Sequence, residues 1–351
     1  MLRSKIAGIG YYVPERVVTN DDLSKVMDTS DKWIQERTGI KERRYGARLQ
    51  ESTSTMGTAA AKIAIERAGI EAKDIDFIVF ATLSPDYYFP GSGVLLQRQL
   101  GIPGVGALDV RNQCSGFIYG LSVADQFVRT GMYKNVLLVG AEMHSFGLDF
   151  STKGRNVTAI FGDGAGAVVL QPAEEGEERG VLSTHLHADG AHAEQLAMIN
   201  FGSHSGVHLG NERFGFDEEA EYGELMMSEK MWEEKDIYPE MNGQYVFKFA
   251  VTKFPEVIME ALKTNGYELS DLDMLIPHQA NLRISQFVQR RLKLRDDQVF
   301  NNIQKYGNTT AASIPIALCE AYESGKVKEG DLVCLAAFGS GFTWGSALIR
   351  W

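Results

Sequence analysis

The chain has 351 residues, 44 % hydrophobic and 23 % charged, and its 46 acidic against 35 basic side chains give a net charge of −11. That length exceeds one usual core and suits two fused units, while the acidic balance argues against nucleic acid as a partner and no uninterrupted apolar run approaches a membrane span. Three cysteines, Cys114, Cys319 and Cys334, make a disulfide framework improbable and set the expectation of a reducing cytoplasm.

Residues 1–10 run straight into a strand pattern, without the apolar core and cleavage site of a secretory leader. A helical pattern over 61–69 leads into a strand over 74–80, and residues 105–110 read as a short buried strand. That strand delivers the chain to Asn112-Gln113-Cys114-Ser115-Gly116-Phe117, after which apolar residues fall at helical spacing. A thiol at a strand-to-helix junction meets the positive end of the helix dipole, which favours thiolate. A free cysteine is as readily a small buried hydrophobe, so the local context leaves both readings open. Cys319 and Cys334 lie in apolar helix and strand patterns and read as packing. The run Gly162-Asp163-Gly164-Ala165-Gly166-Ala167 superficially matches a dinucleotide loop, but it continues into a strand at Val168-Val169-Leu170. A dinucleotide fingerprint opens a helix, which excludes NAD binding here. His185, His187 and His192 lack an accompanying cysteine or carboxylate pattern, so structural roles are favoured and no metal is expected.

The second half repeats the first. A helix over 257–263 leads through Gly266 into a strand ending at Ile276, which pairs Asp74 with Asp271 at an offset of 197. The strand over 135–140 matches that over 331–336 at an offset of 196. The helix opened by Cys114 and ending at Gly131 corresponds to the one opened after Asn308 and ending at Gly325. Self-similarity at a near-constant offset marks a duplicated unit. The predicted division is 1–175, carrying the cysteine, and 176–351, carrying histidine and asparagine, with a long insertion at about 191–240. Under an internal pseudo-twofold, Cys114 and Asn308 sit at matching helix N-termini. His278, in Pro277-His278-Gln279-Ala280-Asn281, follows a strand at the end matching Ala81-Thr82, where open α/β sheets place their chemistry. Cysteine, histidine and asparagine together form a recurring arrangement around a thiolate nucleophile.

With these residues in place the chain resembles, over essentially its whole length, the β-ketoacyl-acyl-carrier-protein synthase III family, condensing enzymes of the thiolase superfamily. The motifs are Cys114-Ser115-Gly116-Phe117, the Gly162 to Ala167 run, His278 to Ile284, Tyr306-Gly307-Asn308-Thr309 and Phe338-Gly339-Ser340-Gly341-Phe342-Thr343-Trp344-Gly345, with a further block from Thr29 to Ile40. The resemblance implies a thiolase-like α/β fold of two similar halves, layered α/β/α/β/α. It implies that Cys114 takes the acyl group from acyl-CoA, and that His278 and Asn308 serve decarboxylative condensation with malonyl-acyl-carrier-protein, initiating fatty-acid synthesis. The backbone N–H groups of Cys114 and Ser340 would form the oxyanion hole. Trp33, Arg37, Arg155, Gly243, Phe247, Asn281 and Phe338 would contact CoA or the substrate arm. Phe89, in Tyr87-Tyr88-Phe89-Pro90, would reach the partner's acyl pocket across a homodimer. No cofactor enters the scheme, acyl-CoA being a substrate.

The alternative is a specialised relative using the same residues for acyl transfer, thioester hydrolysis or condensation in secondary metabolism. Asn112-Gln113 stands where the family more often has two small residues, and the insertion, with Asp217-Glu218-Glu219, Met226-Met227 and Trp232, is longer than the family's usual segment. Two readings of it stand: a border of the acyl pocket or dimer groove that shifts chain-length choice, or a solvated excursion. Lys248, Arg283, Arg290 and Arg291, with Lys293 and Arg295 nearby, form a candidate patch for the acidic carrier protein; the competing reading is a solvated helix face balanced by Asp296 and Asp297.

Overall fold

In the computed structural model, which describes residues 3–199, 232–233 and 237–351, the strand patterns assemble into two principal sheets. Strands β1 (Ser4–Tyr12), β2 (Phe77–Ala81), β3 (Gly106–Val110), β4 (Val136–Glu142) and β5 (Gly164–Pro172) form the first, in the order β1-β5-β4-β2-β3. Strands β6 (Gly180–Ala188), β7 (Met274–Pro277), β8 (Leu332–Gly339) and β9 (Thr343–Arg350) form the second, in the order β7-β8-β9-β6. The central strands β4 and β8 are buried along their entire length. Both their faces are covered, which is why they read as continuous apolar runs and not as alternation.

The two sheets are built alike. In the first, β1–β5 and β5–β4 are antiparallel and β4–β2 parallel; in the second, β6–β9 and β9–β8 are antiparallel and β8–β7 parallel. The parallel registers open at Phe77↔Val136 and at Met274↔Val333, each residue displaced by 197. A carboxylate pins each register in the same way: Asp76 Oδ2 accepts from the N–H of Asn135 and Asp273 Oδ2 from that of Leu332, both at 2.7 Å. The offset of 196 at the second landmark is therefore corrected to 197, with Leu332, not Asp331, opposite Asn135. The counterpart of β3 shrinks to an isolated bridge between Leu275 and Val299.

Helices α1 (Asp31–Thr38), α2 (Thr53–Arg67), α3 (Gly116–Arg129), α4 (Gly243–Thr264), α5 (Leu282–Leu292) and α6 (Ser313–Glu323) complete the layers. The pair α3 and α6 lies between the sheets, where Phe117, Leu121, Ile314 and Leu318 pack with Leu138 and Val168 of one sheet and Ile276 and Leu335 of the other. On the outer side of the first sheet, α2 packs Ala60 and Ala64 against Val139 and Val169. On that of the second, α4 packs Phe254 and Ile258 against Cys334 and Leu348. The result is the expected α/β/α/β/α layering. The middle layer is tight: a Cβ on Gly140 would lie 2.4 Å from the carbonyl oxygen of Ala311, so only glycine fits where the Thr310–Ala312 turn before α6 crosses β4.

Strand β3 is a sheet edge rather than a buried strand, with Leu108 40 % exposed. The glycine-rich run passes into β5, as its continuation predicted. Most of the insertion, 200–231 and 234–236, lies outside the described residues, including its Asp217-Glu218-Glu219 and Met226-Met227 runs; its ends pair as short strands, Leu196–Ala197 with Glu240–Met241. Among the described residues no helix is long and apolar enough to cross a membrane.

Candidate active site

After β3 the chain makes one tight turn, Gln113–Ser115, before α3 begins at Gly116; after Asn308 it makes the same turn, Thr310–Ala312, before α6 begins at Ser313. Gln113 and Thr310, 197 apart, both adopt positive φ, +44° and +48°. That conformation is costly for a side chain with a Cβ, and it sets Cys114 and Ala311 on equivalent, facing bends that pack against each other. Cys114 is thus the counterpart of Ala311, and Asn308 precedes that point by three residues. This corrects the expectation that Cys114 and Asn308 hold matching positions, although the two still meet at one junction.

Cys114 is buried, and the backbone N–H groups of Cys114 and Ser340 both donate towards its sulfur. Gly339 permits this approach, since a Cβ there would lie 2.6 Å from Cys114 Cβ and 3.1 Å from Sγ. Ser115 Oγ lies 2.6 Å from Thr343 Oγ1, which donates to Ser340 O at 3.0 Å, so the Cys114 turn and the Gly339 turn are hydrogen-bonded together. Burial pushes the thiol up to about 12, with the charge of Glu142 second, and outweighs the two N–H donors. In the free chain Cys114 is a thiol, against the expectation that the helix start favours thiolate; the sulfur lies too deep for the dipole to offset lost hydration.

His278 follows β7 and is 3 % exposed. Its Nδ1 lies 2.6 Å from Ser313 Oγ, while Nε2 is buried without a partner. An unpaired buried polar atom costs about 1–3 kcal/mol. Burial lowers the ring to about 3, so it is neutral at physiological pH. Asn308 is held by β-type pairing to Phe161 and by its Oδ1, which accepts from Thr310 N–H at 2.8 Å. His144 Nε2 lies 2.8 Å from Thr310 Oγ1 and steadies the same bend. The glycine-rich run has a structural task here: Gly162 N–H donates to Asn308 O, and the Asp163 carboxylate accepts from Gly46 N, Ser145 N and Ser145 Oγ.

Sequence reasoning passed over Glu142 and Ser313. Glu142, at the end of β4, accepts from Thr82 Oγ1 at 3.0 Å, Ser84 Oγ at 2.5 Å and the N–H groups of Leu83 and Ser84. Burial raises it to about 7. An apolar strand ending in glutamate, Val139-Gly140-Ala141-Glu142, was the available signal for a buried carboxylate. Ser313, in an apolar helix, gave none.

The expected CoA contacts fall into separate groups. Arg37 and Arg155 both lie over the Trp33 ring, at 4.4 and 5.3 Å from its centre, and Asn281, the cap of α5, donates to Arg37 O at 2.9 Å. Gly243 opens α4, and one turn later Phe247 sits half-buried, its ring 6.3 Å from that of Phe287 on α5. Phe338 is buried in the outer core, 4.9 Å from the Phe342 ring, so it stands behind the Gly339 turn as packing. Phe89 is 80 % exposed. Lys248, Arg283, Arg290 and Arg291 are exposed, and no ion pair joins any of them among the described residues; Asp297 pairs with Arg295 and Asp296 accepts from Gln289 instead. His185 and His187 share Glu260, at 3.5 and 2.7 Å, and His192 packs against Phe249 and Phe342.

Comparison with known proteins brings in independent findings. Residues 108–190 match the model of 3-oxoacyl-[acyl-carrier-protein] synthase III and residues 262–351 that of its C-terminal region. The chain is 48 % identical over 348 residues to a β-ketoacyl-[acyl-carrier-protein] synthase III of Xanthomonas euvesicatoria, covering 99 % of this chain and 98 % of that protein. It is 45 % identical to the protein of that name from Caldanaerobacter subterraneus, over 99 % and 97 %. Among solved structures, 3-oxoacyl-[acyl-carrier-protein] synthase III of Aquifex aeolicus superposes with a TM-score of 0.85 at 41 % identity, over 99 % of this chain and all of that one. OleA of Xanthomonas campestris, at 18 % identity and a TM-score of 0.81, shares the fold.

Proposed function

We infer the chemistry of this chain from one premise: it belongs to the 3-oxoacyl-[acyl-carrier-protein] synthase III family. It is an acyltransferase-type condensing enzyme, and its reaction is the condensation that initiates fatty-acid synthesis. The residue roles that follow are our reading.

Cys114 Sγ attacks the thioester carbonyl of an acyl-CoA, and coenzyme A departs as its thiol, carrying away the proton that Cys114 loses. The oxyanion of this step lies against the N–H groups of Cys114 and Ser340, which already converge on the sulfur. Malonyl-acyl-carrier-protein then binds. The bond to its carboxylate breaks, carbon dioxide leaves, and the electron pair moves into the thioester as an enolate. That carbanion attacks the acyl-cysteine carbonyl and expels the Cys114 thiolate, giving β-ketoacyl-acyl-carrier-protein. His278 and Asn308 hydrogen-bond the enolate oxygen. The observation carrying the assignment is the buried, unpartnered Nε2 of a neutral histidine, in a fold whose Gly339 turn closes on a buried cysteine sulfur flanked by two N–H donors. No step draws on a metal or redox cofactor.

The Trp33, Arg37 and Arg155 cluster supports binding of the nucleotide end of CoA, by stacking and charge, and Gly243, Phe247 and Asn281 border the path of its pantetheine arm. Lys248, Arg283, Arg290 and Arg291 receive the acidic carrier. The enzyme works as a homodimer joined at the β3 edge, where Tyr87, Tyr88 and Phe89 are 53, 61 and 80 % exposed and an open strand edge invites pairing. We divide the chain at 175/176, between β5 and β6, and place the enzyme in the cytoplasm.

The test separates the half-reactions. His278→Ala and Asn308→Ala are each expected to cut β-ketoacyl product by about a hundredfold or more while Cys114 still acquires the acyl group. Equal loss of both half-reactions would contradict the assignment.

A further inference from the structure

We propose that Ser313 is the positioning residue that fixes the tautomer of His278, so that the imidazole enters condensation as an Nε2–H hydrogen-bond donor and not as a base. The proposal deepens the reading above and rests on it. Ser313 opens α6 and is 2 % exposed. Its hydroxyl has one hydrogen and two acceptor lone pairs. One lone pair receives the N–H of Gln279 at 3.4 Å, and Nδ1 of His278 lies at 2.6 Å. No other acceptor is recorded for this hydroxyl among the described residues, so its hydrogen goes to Nδ1. The ring's own proton therefore stands on Nε2, the atom left buried and unpartnered.

The neighbours hold this arrangement. Gln279 cannot swing away: its Oε1 accepts from the N–H groups of Asn302 and Ile303 at 3.0 and 3.2 Å, and its Nε2 donates to Pro277 O at 2.7 Å. The backbone N–H of His278 is tied to Ala336 O at 2.8 Å. The opposite tautomer would aim two N–H donors at Ser313 and leave the hydroxyl hydrogen without an acceptor.

Internal symmetry supplies a second argument. The residues 197 before His278 and Ser313 are Ala81 and Gly116, which also meet, a Cβ on Gly116 lying 3.4 Å from that of Ala81. The first half closes this contact with two small residues. The second half closes it with a hydroxyl and an imidazole. A packing role would be met by either pair, whereas only the second pair can set a proton.

The full-length protein labelled with 15N-histidine tests this by long-range 1H–15N NMR, with His278 among the seven histidines identified by comparison with His278→Ala. The expected result is Nε2–H in wild type, kept in Ser313→Thr and lost or mixed in Ser313→Ala, whose condensation rate falls on the order of a hundredfold. The wild-type spectrum stands even if a variant fails to fold. A wild type that condenses while carrying Nδ1–H overturns the proposal and leaves the reaction standing. Ser313→Ala that keeps both Nε2–H and the full condensation rate overturns it equally. A wild type with Nε2–H that never condenses overturns the reaction, and with it the catalytic purpose of the tautomer.

Discussion

Glu142 and Cys114 oppose each other through the floor of the site. Burial first and the Glu142 charge second raise the thiol to about 12, while burial holds Glu142 itself at about 7. Near neutrality the carboxyl is partly protonated, and each proton it gains relieves the thiolate of a like charge. Glu142→Gln keeps an oxygen for the Ser84 and Leu83 donors and removes the charge. We expect this variant to alkylate faster with iodoacetamide than wild type above about pH 7, with its pH profile displaced to lower pH and the two rates converging below that. A rate unchanged or slower at pH 8 would remove Glu142 from the control of the thiol. The single residues differ in how well the sequence announced them. Cys114, His278 and Asn308 stand at strand and helix ends whose patterns are plain. Ser313 is a serine in an apolar helix, and its importance comes only from a histidine 35 positions away.

Among the elements, α5 shows how a helix divides its faces. Ile284, Ser285 and Val288 are buried, and Arg283, Phe287 and Arg290 follow at spacings that share another face. Phe287 meets Phe247 of α4, next to Lys248, which joins the basic face of α5 to the proposed pantetheine path. The neighbouring acids, Asp296 and Asp297, are engaged by Gln289 and Arg295, so the arginines keep their charge for a partner. Rim charges of this kind govern association rate and salt dependence more than the chemistry. Arg290→Glu combined with Arg291→Glu should therefore raise the KM for malonyl-acyl-carrier-protein at least severalfold at low ionic strength, with acylation from acyl-CoA unchanged. A parallel fall in both would point to damage of the helix. The basic run was visible in the sequence, whereas the pairing of its neighbours was not, because it depends on the turn after α5. The two positive-φ bends at Gln113 and Thr310 were equally hidden, since neither residue type signals that conformation.

At the scale of the molecule, duplication does most of the organising. Two equivalent sheets bring two equivalent helix starts face to face, and the proposed chemistry lies where the copies differ: Cys114 against Ala311, His278 against Ala81, Ser313 against Gly116. The repeat was legible because helix, aspartate and strand recur at a near-constant offset, Asp74 with Asp271, and the structure pins the matching registers through Asp76 and Asp273. The edge position of β3 was not, because a strand's burial depends on what lies beside it and the second copy keeps only a bridge there. The central claim is that this junction carries an acyl group on Cys114 and passes it to a malonyl-derived carbanion. The most direct measurement is the intact mass of wild type and Cys114→Ala after mixing with a panel of acyl-CoAs, followed by malonyl-acyl-carrier-protein. The account predicts an acyl adduct on wild type alone, discharged as β-ketoacyl-acyl-carrier-protein when the malonyl carrier arrives. An adduct that also forms on Cys114→Ala, or one that the malonyl carrier leaves in place, would contradict it.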